Sequence, residues 1–170
     1  DGEVFTMDEG FVQEGAEEAI WMEYGRDNYA GVTWSDIPEE DGRRILLGWM
    51  SNWQYALKEP TYVWRSAMTV PRELQLHSTN AGLRLFSIPV KELDTLRTSS
   101  VRNNKESLSG SLMLSNGGHP LVEVEVSFEL QEGEEVEVGI SLTNDMGDVY
   151  KIGLNQKENT FFSDRTEAGK

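Results

Sequence analysis

Carboxylates are the chemically able groups this sequence holds in abundance: 30 Asp and Glu stand against 15 Lys and Arg and two His. Cleavage of a glycosidic bond needs two carboxylates, one as nucleophile or base and one as proton donor. Thirty of them give no spacing signal by themselves. Asp27 is distinct, because it lies at a turn leading into a strand, in the run Arg26-Asp27-Asn28-Tyr29. Polar groups beside aromatics at a strand entrance suit sugar hydroxyls and sugar ring faces, and an aspartate that stabilises the turn is the plainer role for the same residue. The second concentration is aromatic. Three of the five tryptophans, Trp49, Trp53 and Trp64, fall between Arg43 and Leu76. Trp49 sits inside a hydrophobic run and is expected in the core, whereas Trp53, between Asn52 and Gln54, suits a core position and a ligand platform equally.

Other chemistries find little support. His77 and His119 are isolated and cysteine is absent, so no metal site, thiol catalysis, disulfide or cofactor is expected. No nucleophile elbow and no glycine-rich phosphate loop occurs. A formal charge of −15 disfavours nucleic acid and anionic membrane. The one adjacent basic pair, Arg43-Arg44, leads straight into a hydrophobic strand. Every apolar run is broken well short of the roughly 20 residues a membrane-spanning helix needs, and no signal peptide is expected in this stretch.

The elements that must position these residues read as all-β. A short strand is expected at 4–7 and a less defined segment near 16–22. In Ala30-Gly31-Val32-Thr33-Trp34 the apolar residues alternate, which predicts a strand entered through a turn at Gly25. The run Ile45-Leu46-Leu47 predicts a strand buried on both faces, paired with the preceding one as an antiparallel hairpin. More strand is expected at 64–70 and 73–77, with Pro71 marking an edge or a bulge. A strand over 83–88 and a short helical turn over 90–97 follow. The polar segment 98–108 marks a domain boundary. Beyond it, Val122, Val124, Val126, Phe128 and Leu130 alternate with Glu123, Glu125, Ser127 and Glu129, and the pattern returns at Val136 to Leu142 and Tyr150 to Leu154. Such strands predict an antiparallel sheet of a β-sandwich.

Three stretches in order, YGRDNYAGVTWSD, GRRILLGWMSNWQYA and PTYVWRSAMTVPRELQL, closely resemble the later part of the catalytic module of glycoside hydrolase family 32, the levanase, inulinase and invertase group. Several motifs in one order are far more specific than a single short pattern. Phe161-Phe162-Ser163-Asp164-Arg165-Thr166 resembles a strand of that family's sandwich. The resemblance implies the last blades of a five-bladed β-propeller over 1–97, a linker over 98–108 and part of a β-sandwich over 109–170. It implies a parent enzyme that hydrolyses fructosyl linkages of levan, inulin or sucrose with retention, exported to the periplasm or the medium. The family's three catalytic carboxylates lie in Asn-Asp-Pro-Asn-Gly, Arg-Asp-Pro and Glu-Cys motifs, none of which occurs here. Arg26-Asp27 imitates the second, but Asn28 stands where its proline would be. No catalytic residue is therefore assigned to this chain, which is expected to be inactive alone. Carried over as substrate-binding residues are Trp53, matching the tryptophan that lines the fructosyl pocket, and Asp27 and Tyr29, matching a segment at its mouth. A sugar-binding or structural β-protein on the same scaffold is the alternative, and self-association through exposed strand edges is a further expectation.

Overall fold

The computed structural model describes residues 3–4, 6, 19–104, 107–114, 121–131, 133 and 135–169. The chain forms two compact units, residues 1–101 and 102–170. Both are built from antiparallel strands and short turns. Residues 5 and 7 of the expected 4–7 strand, and the 16–22 segment as far as residue 18, lie outside the described residues.

In the first unit, strands β1 (Tyr29–Thr33), β2 (Ile45–Met50), β3 (Ala67–Met68), β4 (Arg72–Thr79) and β5 (Gly82–Pro89) form one sheet in the order β1-β2-β4-β5, with β3 also on β2. The apolar run does what its composition predicts. Ile45 and Leu46 are 5% and 4% exposed, and Ala56 and Val90 complete the small core around them. β1 and β2 form the expected hairpin.

The strand expected over 64–70 is cut down to Ala67–Met68, and the physical reason lies at Thr69 to Pro71. β3 pairs with the end of β2 and β4 with its beginning, so together they act as one broken partner strand. At the break, Gly48 N donates to the Thr69 hydroxyl at 3.0 Å, and Thr69 N donates to Gly48 O at 2.8 Å. A side-chain oxygen thus stands in for a backbone acceptor. Pro71, which has no N–H to give, accepts through its carbonyl from Val90 N at 3.0 Å. This fixes the start of the 3-10 turn Lys91–Leu96.

Arg43 binds that turn to the loop before β2. Its guanidinium donates to both oxygens of Asp41 (2.6 and 2.7 Å) and to both of Glu92 (2.8 and 3.1 Å). The Arg43 side chain is mostly covered. These bonds hold the Asp41 carboxyl down to about 2 and lower that of Glu92, because the guanidinium favours the charged form of each.

The second unit is a meander of β6 (Glu137–Thr143), β7 (Val149–Asn155) and β8 (Thr160–Glu167). Val138 and Ile140 share its more covered face, as their alternation predicts. The β6–β7 turn is closed by Asn144, whose Oδ1 accepts from Met146 N and Asp148 N, both at 3.0 Å, while Gly147 takes φ +84. Gly139 and Gly153 face each other in the ladder, and the Phe162 ring closes over Gly153 from β8, so a Cβ there would come 2.7 Å from it. The alternating segment 121–130 is not a strand. It has no ladder partner among the described residues, and Val122, Val124 and Phe128 remain exposed. Alternation assigns faces, but a strand exists only where another backbone supplies its hydrogen bonds.

Candidate functional site

The antiparallel hairpin brings the beginning of β1 beside the end of β2, with Tyr29 opposite Trp49. Between Tyr29 and Val32 the register slips: three steps along β1 match two along β2, from Trp49 to Leu47. This is a β-bulge, a device that bends a strand and redirects side chains beside binding sites. The simple alternation expected across Ala30 and Val32 is interrupted by it. Asn28 and Ala30 both take positive φ, +68 and +50. Asparagine tolerates that conformation; alanine does so at a cost of roughly 1 kcal/mol or more.

Gly48 makes room for the first of these residues. A Cβ at Gly48 would lie 2.0 Å from Asn28 Oδ1 and 3.1 Å from its Cγ. The Asn28 carboxamide therefore lies across the β2 backbone where only glycine allows it.

Beyond β2 the chain enters the loop carrying Trp53. Ser51, wholly buried, donates from Oγ to Glu59 Oε1 at 2.7 Å, and Ser66 donates to the other oxygen of the same carboxylate. One carboxylate thus closes both ends of the loop. The hydroxyls of Ser66 and Ser51 lower the Glu59 pKa, with the Arg65 charge assisting. Inside the loop, Asn52 O accepts from Ala56 N at 2.9 Å, which starts a 3-10 turn at Ala56–Lys58.

Tyr29, Trp49 and Trp53 form a chain of edge contacts, with centroids 6.2 Å apart for the first pair and 5.3 Å for the second. Trp49 is half-buried and donates from its indole N–H to Arg65 O at 3.1 Å. Trp53, its ring supported edge-on by Trp49, is 66% exposed. It lies outside the core of this unit. Asp27 lies two residues before Tyr29, and its Oδ1 is covered yet has no hydrogen-bond partner. The segment before β1 and the loop after β2 are bonded to each other, Asn52 Nδ2 donating to Arg26 O at 2.9 Å. Tyr29 and Trp53 are thus linked through Trp49 at one end of the hairpin, and Asp27 follows the Arg26 carbonyl that Asn52 holds there. A shallow hollow lined by Trp34, Ile37, Pro38 and Arg44 lies at the other end.

An exposed indole face beside a tyrosine can bind a polyol ring by stacking and, through the phenol, by hydrogen bonding. Among the described residues, no group of three or more His, Cys, Asp or Glu could hold a metal ion. Trp64 stands apart in an exposed bend. Four contributors escaped the sequence reading: Gly48, Asn52, Glu59 and Thr69. Only Asn52 carried a usable signal, as an Asx residue two positions before Gln54 and so able to close a turn around Trp53.

Residues 2–89 match the N-terminal domain of glycosyl hydrolases family 32. The chain is 40% identical to a levanase of Bacillus subtilis (strain 168) over 154 residues, covering 89% of this chain and 23% of that protein. It is 29% identical to an extracellular exo-inulinase of Aspergillus awamori over 173 residues, covering 99% and 32%. The crystal structure of exo-inulinase from Aspergillus awamori shares the fold, with a TM-score of 0.64 and 20% identity over 99% of this chain and 33% of that one. The chain thus spans 23 to 33% of the length of these proteins. By a match that extends over more than half of its residues, the chain belongs to glycosyl hydrolases family 32.

Proposed function

We propose that this chain is part of an enzyme that hydrolyses fructosyl linkages in levan, inulin or sucrose, and that Asp27, Tyr29 and Trp53 form one wall of its fructosyl pocket. The observation that carries this reading is that the loop of Trp53 and the segment leading into Tyr29 are bonded to each other at one end of the β1–β2 hairpin, with Trp53 exposed. Trp53 stacks on the sugar ring, Asp27 accepts from a hydroxyl, and Tyr29 borders the ring while bracing Trp49. Family membership and the likeness to a levanase and an extracellular exo-inulinase support a fructan substrate and an exported protein.

The reaction fits a retaining double displacement, in which one carboxylate forms a covalent fructosyl-enzyme and a second acts first as acid and then as base. Both carboxylates belong to motifs outside this chain, so the 170 residues alone are inactive. On this reading residues 1–97 are the last part of a five-bladed β-propeller with its connecting segment, 98–108 a linker and 109–170 part of a β-sandwich. The four-stranded order β1-β2-β4-β5 has the size of one propeller blade.

The test is fructose release from levan, inulin and sucrose. The isolated chain should release none, while the protein extended to include the missing motifs should release it. In that extended protein Trp53→Ala should lose roughly 1 kcal/mol of stacking, about a fivefold rise in KM. Turnover by the isolated chain would overturn the division of labour. Sugar binding without release by the extended protein would favour a non-catalytic sugar-binding protein on this scaffold.

A further inference from the structure

The Asp27 wall and the Trp53 wall come from different parts of the chain, yet they must face the same sugar ring. We infer that Asn52 is the positioning residue that sets one wall against the other, an inference that rests on the pocket reading above. Its planar carboxamide works in both directions. Oδ1 accepts from Gln54 N at 3.0 Å and closes a turn around Trp53. Nδ2 donates at 2.9 Å to Arg26 O, the carbonyl immediately before Asp27. The other bond across this gap, Arg26 Nη1 to Gln54 Oε1, is 3.4 Å long between exposed side chains, at the weak limit for a hydrogen bond.

The segment that Asn52 holds needs holding. The β1–β2 ladder begins only at Tyr29, and Asn28 and Ala30 both carry positive φ. Such backbone persists when its surroundings over-determine it. Asn52 supplies that restraint from the opposite wall. Of the small polar side chains, asparagine alone combines an acceptor that reaches two residues ahead with a donor that reaches Arg26. Aspartate keeps the turn and lacks the donor; serine can accept from Gln54 N but is too short to span the gap.

The experiment is steady-state kinetics on a fructan in the intact enzyme containing this chain, with Asn52→Asp and the neutral Asn52→Ser as paired variants. Both should raise KM about fivefold, as loss of one hydrogen bond predicts, with kcat changed far less. Asp27→Ala should then cost less in the Asn52→Asp background than in the wild type, because its carboxylate is already out of place. Additive effects of Asn52→Asp and Asp27→Ala, an unchanged KM in either Asn52 variant, or a loss confined to folding stability would each overturn the assignment. If Asp27→Ala and Trp53→Ala leave KM unchanged in the otherwise native enzyme, the pocket reading itself fails and the role of Asn52 falls with it.

Discussion

Replacing Gly48 by alanine tests the packing on which the Asp27 wall depends. The new Cβ would meet Asn28 Oδ1 at 2.0 Å and Cγ at 3.1 Å, where ordinary contact begins at 3.4 Å. Asn28 cannot yield freely. Its φ is +68, its backbone continues into the bulge, and Gly48 is itself fixed on both sides by Thr69. Overpacking of this kind costs about 1–3 kcal/mol. All five tryptophans lie in the first unit, at positions 21, 34, 49, 53 and 64, so urea unfolding followed by tryptophan fluorescence reports on that unit alone. The sharper measurement is the double-mutant cycle with Asn28→Gly. Glycine accepts φ +68 and removes both atoms in the way, leaving the Asn28 carbonyl carbon, at 3.5 Å, as the nearest contact. In that background Gly48→Ala should be neutral or stabilising, since alanine gains roughly 0.5–1 kcal/mol over glycine inside a strand. The coupling should therefore exceed about 1 kcal/mol. Equal destabilisation with and without the Asn28 side chain would refute the steric account.

Thr69→Val should cost about 1–3 kcal/mol in the same assay, because Gly48 N would be left without an acceptor, whereas Thr69→Ser should retain most of the stability. Acid should weaken the first unit in a defined window. The folded pKa values of Glu59 and Glu92 lie below the ordinary 4.5, and that of Asp41 is about 2 against 3.8. Their contribution is therefore complete above pH 4.5 and is lost as pH falls, with the Asp41 share disappearing last, toward pH 2. Urea midpoints at pH 7, 4 and 3 should show this decline, and Asp41→Asn with Glu92→Gln should flatten it; an unchanged slope in the double variant would remove Arg43 from the explanation. Glu59→Gln keeps groups able to bond Ser51 and Ser66, so it should preserve the midpoint at pH 7 better than Glu59→Ala.

Where the sequence was legible, burial made it so. Ile45 to Leu47 could only be a strand covered on both faces, and the β1–β2 hairpin followed from its neighbour across a turn. The spacing of Val138 and Ile140 marked the more covered face of β6 for the same reason. The members proposed for the site, Asp27, Tyr29 and Trp53, came from the family resemblance, and their geometry was not legible in the sequence. Nothing local announces that Ala30 adopts a positive φ, since alanine is a poor choice for it, or that the Thr69 hydroxyl enters a backbone ladder; both are set by the partner strand. The segment 121–130 shows the converse. Its alternation is as regular as any in the chain, yet a regular pattern does not supply a neighbouring backbone, and the segment forms no strand ladder among the described residues. Gly48 carries no local signal; only the Asn28 side chain lying against it gives it a purpose.

The two walls differ in how firmly the sheet holds them. Trp53 follows β2, which pairs with β1, β3 and β4, while Asp27 precedes β1, which among the described residues is an edge strand with β2 as its one neighbour. Amide hydrogens of β1 should consequently exchange with solvent through small local openings that leave β2 closed. On the proposed pocket reading, a bound fructosyl group would slow exchange chiefly in β1 and leave β2 almost unchanged, so that the energy of holding sugar would be registered in the edge strand.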